Sequence, residues 1–269
     1  STVLYGVQRM TQLPALFVML GLFCFFRVRV RWLQRSPDSE DVSRAGLILF
    51  VFTALAALSK ENGLLLPWLA AITELCLFRF VIGGHTSTWY RRCSLILLLL
   101  PLLGLLLLVA IEPSAIMQPY ELRDFSFKER VLTQLRILWV YMSWLALPLP
   151  GSLGFYHDYI DWSHSLLEPR IMLALAGWLG VACLAWWQRN SYPLLGFALL
   201  WYLLAHSMES SVLALEMTFE HRNYLPAVGV LLLFSQLLFS LCSNTSVSRT
   251  AVAAALLLAM TVLLVARSS

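Results

Sequence analysis

Long apolar runs, separated by short polar segments, dominate the pattern of the chain. A bilayer span needs about 20 mostly apolar residues. The segment "LSKENG" divides one apolar stretch in two, and we predict a chain reversal there because Asn62 and Gly63 favour turns. The pattern predicts an all-α, polytopic bundle of about eight membrane-spanning helices, near residues 11–28, 45–59, 63–80, 93–111, 171–187, 192–206, 224–242 and 250–266.

The composition agrees with a multi-pass integral membrane protein. Hydrophobic residues make up 59% and charged residues 13% of the chain, whereas soluble domains contain about 45–50% apolar and about 25% charged residues. We see no linker that would divide residues 1–269, and we predict a single membrane domain. The net charge of +4 comes without a nucleic-acid-binding motif, so membrane lipids are expected partners and nucleic acid is not. The scattered cysteines are interpreted as small buried hydrophobes.

The placement of arginine predicts which side of the membrane each connector faces. Segments 27–44 and 79–92, with Arg189 and Arg249, hold ten of the 19 basic residues. Arginine-rich connectors lie on the cytoplasmic side of membrane proteins. The opposite, extracytoplasmic side then carries eleven of the 15 acidic residues, together with the three polar segments described below.

Segment 130–150 is predicted not to span the membrane. Connectors 79–92 and 189 both face the cytoplasm, so the chain between them crosses an even number of times, and runs 93–111 and 171–187 already supply two crossings. Its arginines and aromatic residues are typical of an interfacial or re-entrant helix. The alternative is a ninth span, which its hydropathy would also allow.

Glu74 is the one acidic residue inside a predicted span. Ionisable residues within a membrane pair with neighbouring groups or carry protons near the midplane. We favour pairing with a neighbouring span and keep a proton relay as the alternative.

Two extracytoplasmic segments carry candidate chemistry. Lys60 follows a predicted span, with Glu61 beside it, and an ammonium there could bind a phosphate or simply form a pair at the membrane surface. The loop "FYHDYIDWSHS" contains His157 and Asp158. A metal or sugar site and a hydrogen-bonded polar loop both fit this segment, and its loose spacing favours the polar loop.

The segment "EMTFEHRNYLP" concentrates ionisable groups between two apolar runs. Glu216 and Glu220 would share one face of a helix. Arg222 has the planar fork that binds phosphate or carboxylate. One interpretation is an internally neutralised network that holds a short loop, since an unpaired buried charge is costly. The other is a ligand site in which Arg222 binds phosphate and Glu220 orients it.

Four segments in order resemble a known family: "VQRMTQLPALFVMLGLFCFFRVR", "ALSKENGLLLPWLAAITE", "YHDYIDWSHSLLEP" and "ESSVLALEMTFEHRNYLP". They are similar to the membrane domain of bacterial TPR-containing glycosyltransferases of the GT-C superfamily, related to eukaryotic transmembrane-and-TPR O-mannosyltransferases. The resemblance covers essentially the whole chain. "SKENG" and "FEHRNYLP" are its most specific parts.

This resemblance implies a transferase that takes a sugar from a polyprenyl-phosphate carrier. The sugar would pass with inversion to a hydroxyl of a protein or glycan acceptor, on the periplasmic side of a bacterial inner membrane. Lys60 and Arg222 become candidates for the lipid phosphate. The candidates for the sugar or acceptor are Glu220, His221, Glu61, His157 and Asp158. No metal ligands are assigned, and a divalent cation stays open as a cofactor.

The resemblance also implies parts that this chain does not match. The superfamily's catalytic carboxylate lies in a first extracytoplasmic loop, expected before Ser1. A TPR array is expected after the last span. The chain is therefore interpreted as a fragment that lacks its general base. The alternative functions are an O-antigen-type ligase or polymerase, a membrane transporter and a non-catalytic scaffold.

Overall fold

The computed structural model describes residues 11–146 and 160–243 and is mostly helical. Shorter elements are the 3-10 helices Glu61–Leu65, Gln118–Leu122 and Glu220–Asn223, the π-helix Glu74–Phe78, and the antiparallel strands β1 (Val81–Ile82) and β2 (His85–Thr86). The α-helices are α1 (Gln12–Trp32), α2 (Ser39–Ser59), α3 (Leu66–Thr73), α4 (Thr88–Ile111), α5 (Ser114–Met117), α6 (Phe127–Ala146), α7 (Pro169–Gln188), α8 (Pro193–His206) and α9 (Ala227–Ser243).

Within these residues, five helices are long and apolar enough to cross a membrane: α1, α2, the continuous run Glu61–Phe78, α4 and α7. The helical membrane protein is as predicted, but eight spans are not confirmed. Helix α8 has 14 residues and α9 has 17 described residues, so both are shorter than these five. The predicted span at 250–266 lies outside the described residues.

The predicted reversal at "LSKENG" is confirmed. Helix α2 ends at Ser59, Lys60 takes an extended conformation, and the chain turns back through the 3-10 helix Glu61–Leu65. Gly63 sits directly against α2, where a Cβ atom would come within 2.2 Å of the Ala56 carbonyl carbon. Only glycine allows this close approach, so Gly63 lets the run Glu61–Phe78 pack beside α2.

The connectors of the bundle gather at two ends. Gly83 donates its N–H to the Trp32 carbonyl at 2.8 Å, and Arg79 donates to the Asn190 carbonyl at 2.6 Å. The connectors after α1, after the π-helix and after α7 therefore meet at one end, which we call the arginine-rich end. The turn at Lys60 and segment 207–226 meet at the other, which we call the Lys60 end.

A buried ion pair joins α1 to the π-helix near the arginine-rich end. Arg29 donates through both Nε and Nη2 to the Glu74 carboxylate, and both side chains are almost fully buried. The guanidinium lies over the rings of Trp32, Phe78 and Tyr90. Pairing of Glu74 with a neighbouring span is confirmed. Its partner lies in the last turn of α1, so Glu74 lies near a helix end rather than at the midplane.

Helix α6 is not among the five apolar candidates, and it packs against α7 and α8. Tyr202 of α8 donates to the Leu138 carbonyl at 2.6 Å. Trp178 of α7 donates to the Leu135 carbonyl at 2.9 Å, and its indole stacks on Trp139 at 4.2 Å. Aromatic side chains of α7 and α8 thus fix α6, whose other face is left for segment 207–223.

We predict that Glu74→Ala lowers the free energy of unfolding by about 3–5 kcal/mol, because it leaves the buried Arg29 charge unpaired. Replacing both residues, Arg29→Met with Glu74→Leu, should restore much of this loss. The measurement is unfolding of the purified chain in detergent. Glu40→Ala is the control, because Glu40 pairs with Arg44 on α2 with a side chain that is 79% exposed, and such pairs contribute about 0–1 kcal/mol. Equal losses for Glu74→Ala and Glu40→Ala would contradict this account of the pair.

Candidate functional site

A small cavity opens at the Lys60 end where α1, the Lys60 turn, the end of α8 and the 3-10 helix Glu220–Asn223 meet. Its volume is about 20 Å³, close to what one water molecule needs. A larger group would enter only if a lining side chain moved. The cavity is lined by Thr11, Pro14, Ala15, Val18, Lys60, Asn62, Ala205, Glu209, His221, Arg222, Tyr224 and Leu225.

Lys60 forms an ion pair with Glu209 at the edge of this cavity. The Glu209 side chain is only 5% exposed, and Lys60 is mostly buried. A pair between Lys60 and Glu61 is not formed: Glu61 opens the 3-10 helix, is exposed and does not line the cavity. Lys60 is therefore bound to a residue 149 positions away in the sequence, which brings segment 207–219 onto the turn.

Arg222 is 6% exposed and also lines the cavity. Its Nη1 donates to the Met217 carbonyl at 3.1 Å, and its guanidinium lies 5.3 Å from the centre of the Phe219 ring. Within the described ranges, no carboxylate lies at ion-pair distance from Arg222. A buried guanidinium without such a partner is well suited to bind an external anion.

Glu216 does not share a helix face with Glu220. Segment 207–219 is not helical, and Glu216 instead pairs with Arg123. The cause is that α6 takes the carbonyl groups that a helix would use: Arg130 donates to Glu216 O at 3.0 Å, and Gln134 donates to Met217 O at 2.8 Å. Glu220 is half-buried in the 3-10 helix and is not among the cavity-lining residues.

His221 contributes a neutral imidazole to the cavity wall. Burial, and next the charge of Lys60, lower the pKa of His221 to about 4, so the ring is uncharged at neutral pH. The ring stacks on Phe219 with a centroid distance of 5.0 Å. Its Nδ1 and the Oδ1 of Asn62 are buried and have no hydrogen-bond partner in the described part of the chain. These two polar atoms are therefore available to hydrogen-bond a ligand.

A clamp of three side chains, Tyr141, His206 and Asn223, fixes the backbone next to Arg222. Asn223 donates to the Tyr141 carbonyl at 3.1 Å, and its Oδ1 lies 3.1 Å from His206 Nε2. That oxygen can only accept, so His206 carries its proton on Nε2. The His206 ring stacks on Tyr141 at 5.1 Å. The clamp therefore links α6, α8 and the 3-10 helix that presents Arg222.

Arg130 anchors the loop on the far side of Glu209. It is fully buried and donates to the carbonyl groups of Glu209 and Glu216 at 2.8 and 3.0 Å. Burial, followed by the charge of Arg222, lowers the pKa of Arg130 to about 10, so it stays charged at neutral pH. Like Arg222, it has no carboxylate at ion-pair distance among residues 11–146 and 160–243. The site therefore contains two buried guanidiniums that donate to backbone carbonyl groups.

The structure brings together three of the residues predicted from sequence, Lys60, His221 and Arg222, and leaves Glu61 and Glu220 off the cavity. His157 and Asp158 lie outside the described residues. Glu209, Asn62 and the anchor Arg130 were not predicted from the sequence as site residues. The described residues contain no group of three or more His, Cys, Asp or Glu side chains placed to hold a metal ion.

Comparisons with protein-family models, with curated proteins and with solved structures found no match to this chain. Its function is therefore inferred from its residues and their geometry.

We predict that Asn223→Ala lowers the free energy of unfolding by about 1–3 kcal/mol, because it leaves buried groups of the clamp without partners. The measurement is unfolding in detergent. Asn190→Ala is the control, since Asn190 lies exposed in the turn between α7 and α8 and accepts from Arg79 through its backbone carbonyl. A loss no larger than that of Asn190→Ala would show that the clamp does not hold the loop.

A second prediction concerns pH. The folded-state pKa of His221 is about 4, below the ordinary value of about 6.5, so the unfolded chain binds more protons between these pH values. The contribution of His221 to stability is therefore complete above about pH 6.5 and is lost as pH falls towards 4. His221→Gln should lose less stability than the wild type over this range, measured by unfolding at a series of pH values. Parallel curves for the two proteins would contradict the buried, neutral imidazole.

Proposed function

We propose that this chain is the membrane part of a glycosyltransferase that takes a sugar from a polyprenyl-phosphate carrier. It would transfer the sugar with inversion to a hydroxyl of a protein or glycan. The observation that carries the proposal is the cavity that Lys60 and Arg222 both line. Arg222 is buried and has no carboxylate at ion-pair distance among the described residues. The resemblance of "SKENG" and "FEHRNYLP" to the GT-C family supports the same two residues.

The chemistry of the transfer explains why cations are needed here. As the acceptor hydroxyl attacks the anomeric carbon, the bond to the phosphate oxygen breaks and negative charge grows on the departing phosphate. Fixed positive groups stabilise that charge more in the transition state than in the ground state. Lys60 and Arg222 would supply this stabilisation. The carboxylate that takes the acceptor proton would come from the extracytoplasmic loop that the resemblance places upstream.

The membrane placement follows the same proposal. The arginine-rich end would face the cytoplasm and the Lys60 end the periplasm of a bacterial inner membrane. Helix α6 would be an interfacial or re-entrant helix on that side. The phosphate of a lipid carrier would then reach the cavity while its polyprenyl tail stays in the bilayer. His221, in the cavity wall, and the nearby Glu61 and Glu220 would contact the sugar or the acceptor, with His157 and Asp158 as further candidates.

We predict that Arg222→Gln lowers kcat for sugar transfer by about 10²–10³-fold, because it removes a charge from the leaving phosphate. The assay measures transfer from a polyprenyl-phosphate sugar in membranes that contain the complete natural gene product. Arg222→Lys keeps the charge but loses the fork and should retain more activity than Arg222→Gln.

Arg123→Gln is the matched control for this experiment. Arg123 also donates to the backbone of segment 207–219, at Ala214 O and 2.9 Å, but it does not line the cavity. Its replacement tests whether loosening that segment alone reduces turnover. Near-normal activity of a folded Arg222→Gln variant would refute the proposal, as would an equal loss in Arg123→Gln.

A further inference from the structure

We propose that Glu209 is the built-in counter-ion of the cavity, which holds Lys60 while the site is empty and sets the anion charge that the site accepts. The inference deepens the proposed function and depends on it only for the source of the anion, a lipid-linked phosphate. It gives a role to Glu209, which opens the segment "ESSVLALEMTFEHRNYLP" but was not among the predicted site residues.

The placement of Glu209 is fixed from two sides. Its backbone carbonyl accepts from Arg130 Nη2 at 2.8 Å, and its carboxylate binds Lys60 Nζ. Because Arg130 is fully buried in α6, this hydrogen bond holds the Glu209 backbone beside the cavity. Lys60, by contrast, follows the end of α2 on a flexible side chain, so Lys60 is the group that can turn from Glu209 to a ligand.

The small size of the cavity supports this exchange. Its volume of about 20 Å³ admits a water molecule but not a phosphate group. The Lys60–Glu209 pair lies at its wall, so a phosphate could enter only if Lys60 moved or shared its charge. The carboxylate thus stabilises the empty site, where an unpaired and mostly buried ammonium would otherwise be costly.

The charges that line the cavity define the anion that fits best. Lys60 and Arg222 are positive, Glu209 is negative and His221 is neutral at neutral pH. The sum is one positive charge, which matches the single negative charge of a phosphate diester, the group that joins a sugar to a lipid monophosphate. Glu209 would repel each additional negative charge on the ligand and so offset part of its attraction to Lys60 and Arg222.

A simpler role for Glu209 would be to tie segment 207–219 to the Lys60 turn. The two roles predict opposite effects when the carboxylate is neutralised. If Glu209 only links segment 207–219 to the Lys60 turn, neutralising its carboxylate would loosen the segment and leave anion binding unchanged or weaker. A counter-ion predicts tighter anion binding, because repulsion is removed and Lys60 is released.

The test uses Glu209→Gln and two probes with the same tail, a methyl-capped farnesyl phosphodiester and farnesyl diphosphate, titrated into the purified chain in detergent. We expect affinity for the diphosphate to rise on the order of tenfold and affinity for the diester to rise less. Glu216→Gln is the matched control: Glu216 belongs to the same segment and pairs with Arg123, but its side chain is 53% exposed and does not line the cavity. It should leave both affinities unchanged.

A second pair of variants keeps the test decisive if Glu209→Gln does not fold. Lys60→Met alone should weaken binding of both probes, and Lys60→Met with Glu209→Gln should recover binding towards the wild type. Unchanged or weaker diphosphate binding in Glu209→Gln overturns the inference, as does a double variant no better than Lys60→Met. Loss of the proposed function has a different signature: sugar transfer would be insensitive to Arg222→Gln while the effects of Glu209 on anion affinity persist.

Discussion

The arrangement at the Lys60 end depends on one constraint: segment 207–219 is mostly half-buried and is not helical, so its backbone must find hydrogen bonds elsewhere. Carbonyl groups that are neither in a helix nor in water are costly to bury. Helix α6 satisfies them with Arg130 and Gln134, which donate to Glu209, Glu216 and Met217. Tyr120 adds a bond to the Val212 carbonyl at 2.7 Å.

That solution determines the electrostatics of the site. An arginine that donates only to carbonyl groups has no counter-ion, because a carbonyl group is a neutral dipole. Its positive charge therefore is not balanced by a neighbouring negative charge. Arg130 and Arg222 both bind the loop in this way. Glu209 faces Lys60, and Glu216 faces Arg123. The hydrogen bonds that hold this loop in place therefore also leave the positive charge of Arg222 available to a ligand.

Much of the framework follows from local patterns in the sequence. The reversal at "LSKENG" could be predicted because Asn62 and Gly63 favour turns next to charges that avoid the bilayer. The pairing of Glu74 followed from the cost of an isolated intramembrane carboxylate. The number of spans was harder, because an apolar run such as 192–206 predicts a helix without fixing its length, and α8 has only 14 residues.

The site itself was only partly predictable. Lys60 and Arg222 are unusual residues in an apolar chain, and that alone identifies them. Glu209 and Arg130 owe their roles to contacts between residues 149 and 79 positions apart, which leave no periodicity in either segment. One signal was present: Arg130, Thr133 and Gln134 form a polar stripe at helical spacing on α6, and all three are buried. Such a stripe indicates a polar partner, although it does not identify which segment that is.

The central claim is that the Lys60 end binds a lipid-linked phosphate, and photo-crosslinking tests it most directly. A photoreactive prenyl phosphate would be added to the chain in lipid vesicles, and the labelled residues mapped by mass spectrometry with and without an excess of unlabelled prenyl phosphate. The account predicts competed labelling at the cavity-lining residues Lys60, Asn62, His221, Arg222, Tyr224 and Leu225. Labelling confined to the arginine-rich end around Arg29, or labelling that the competitor does not reduce, would contradict it.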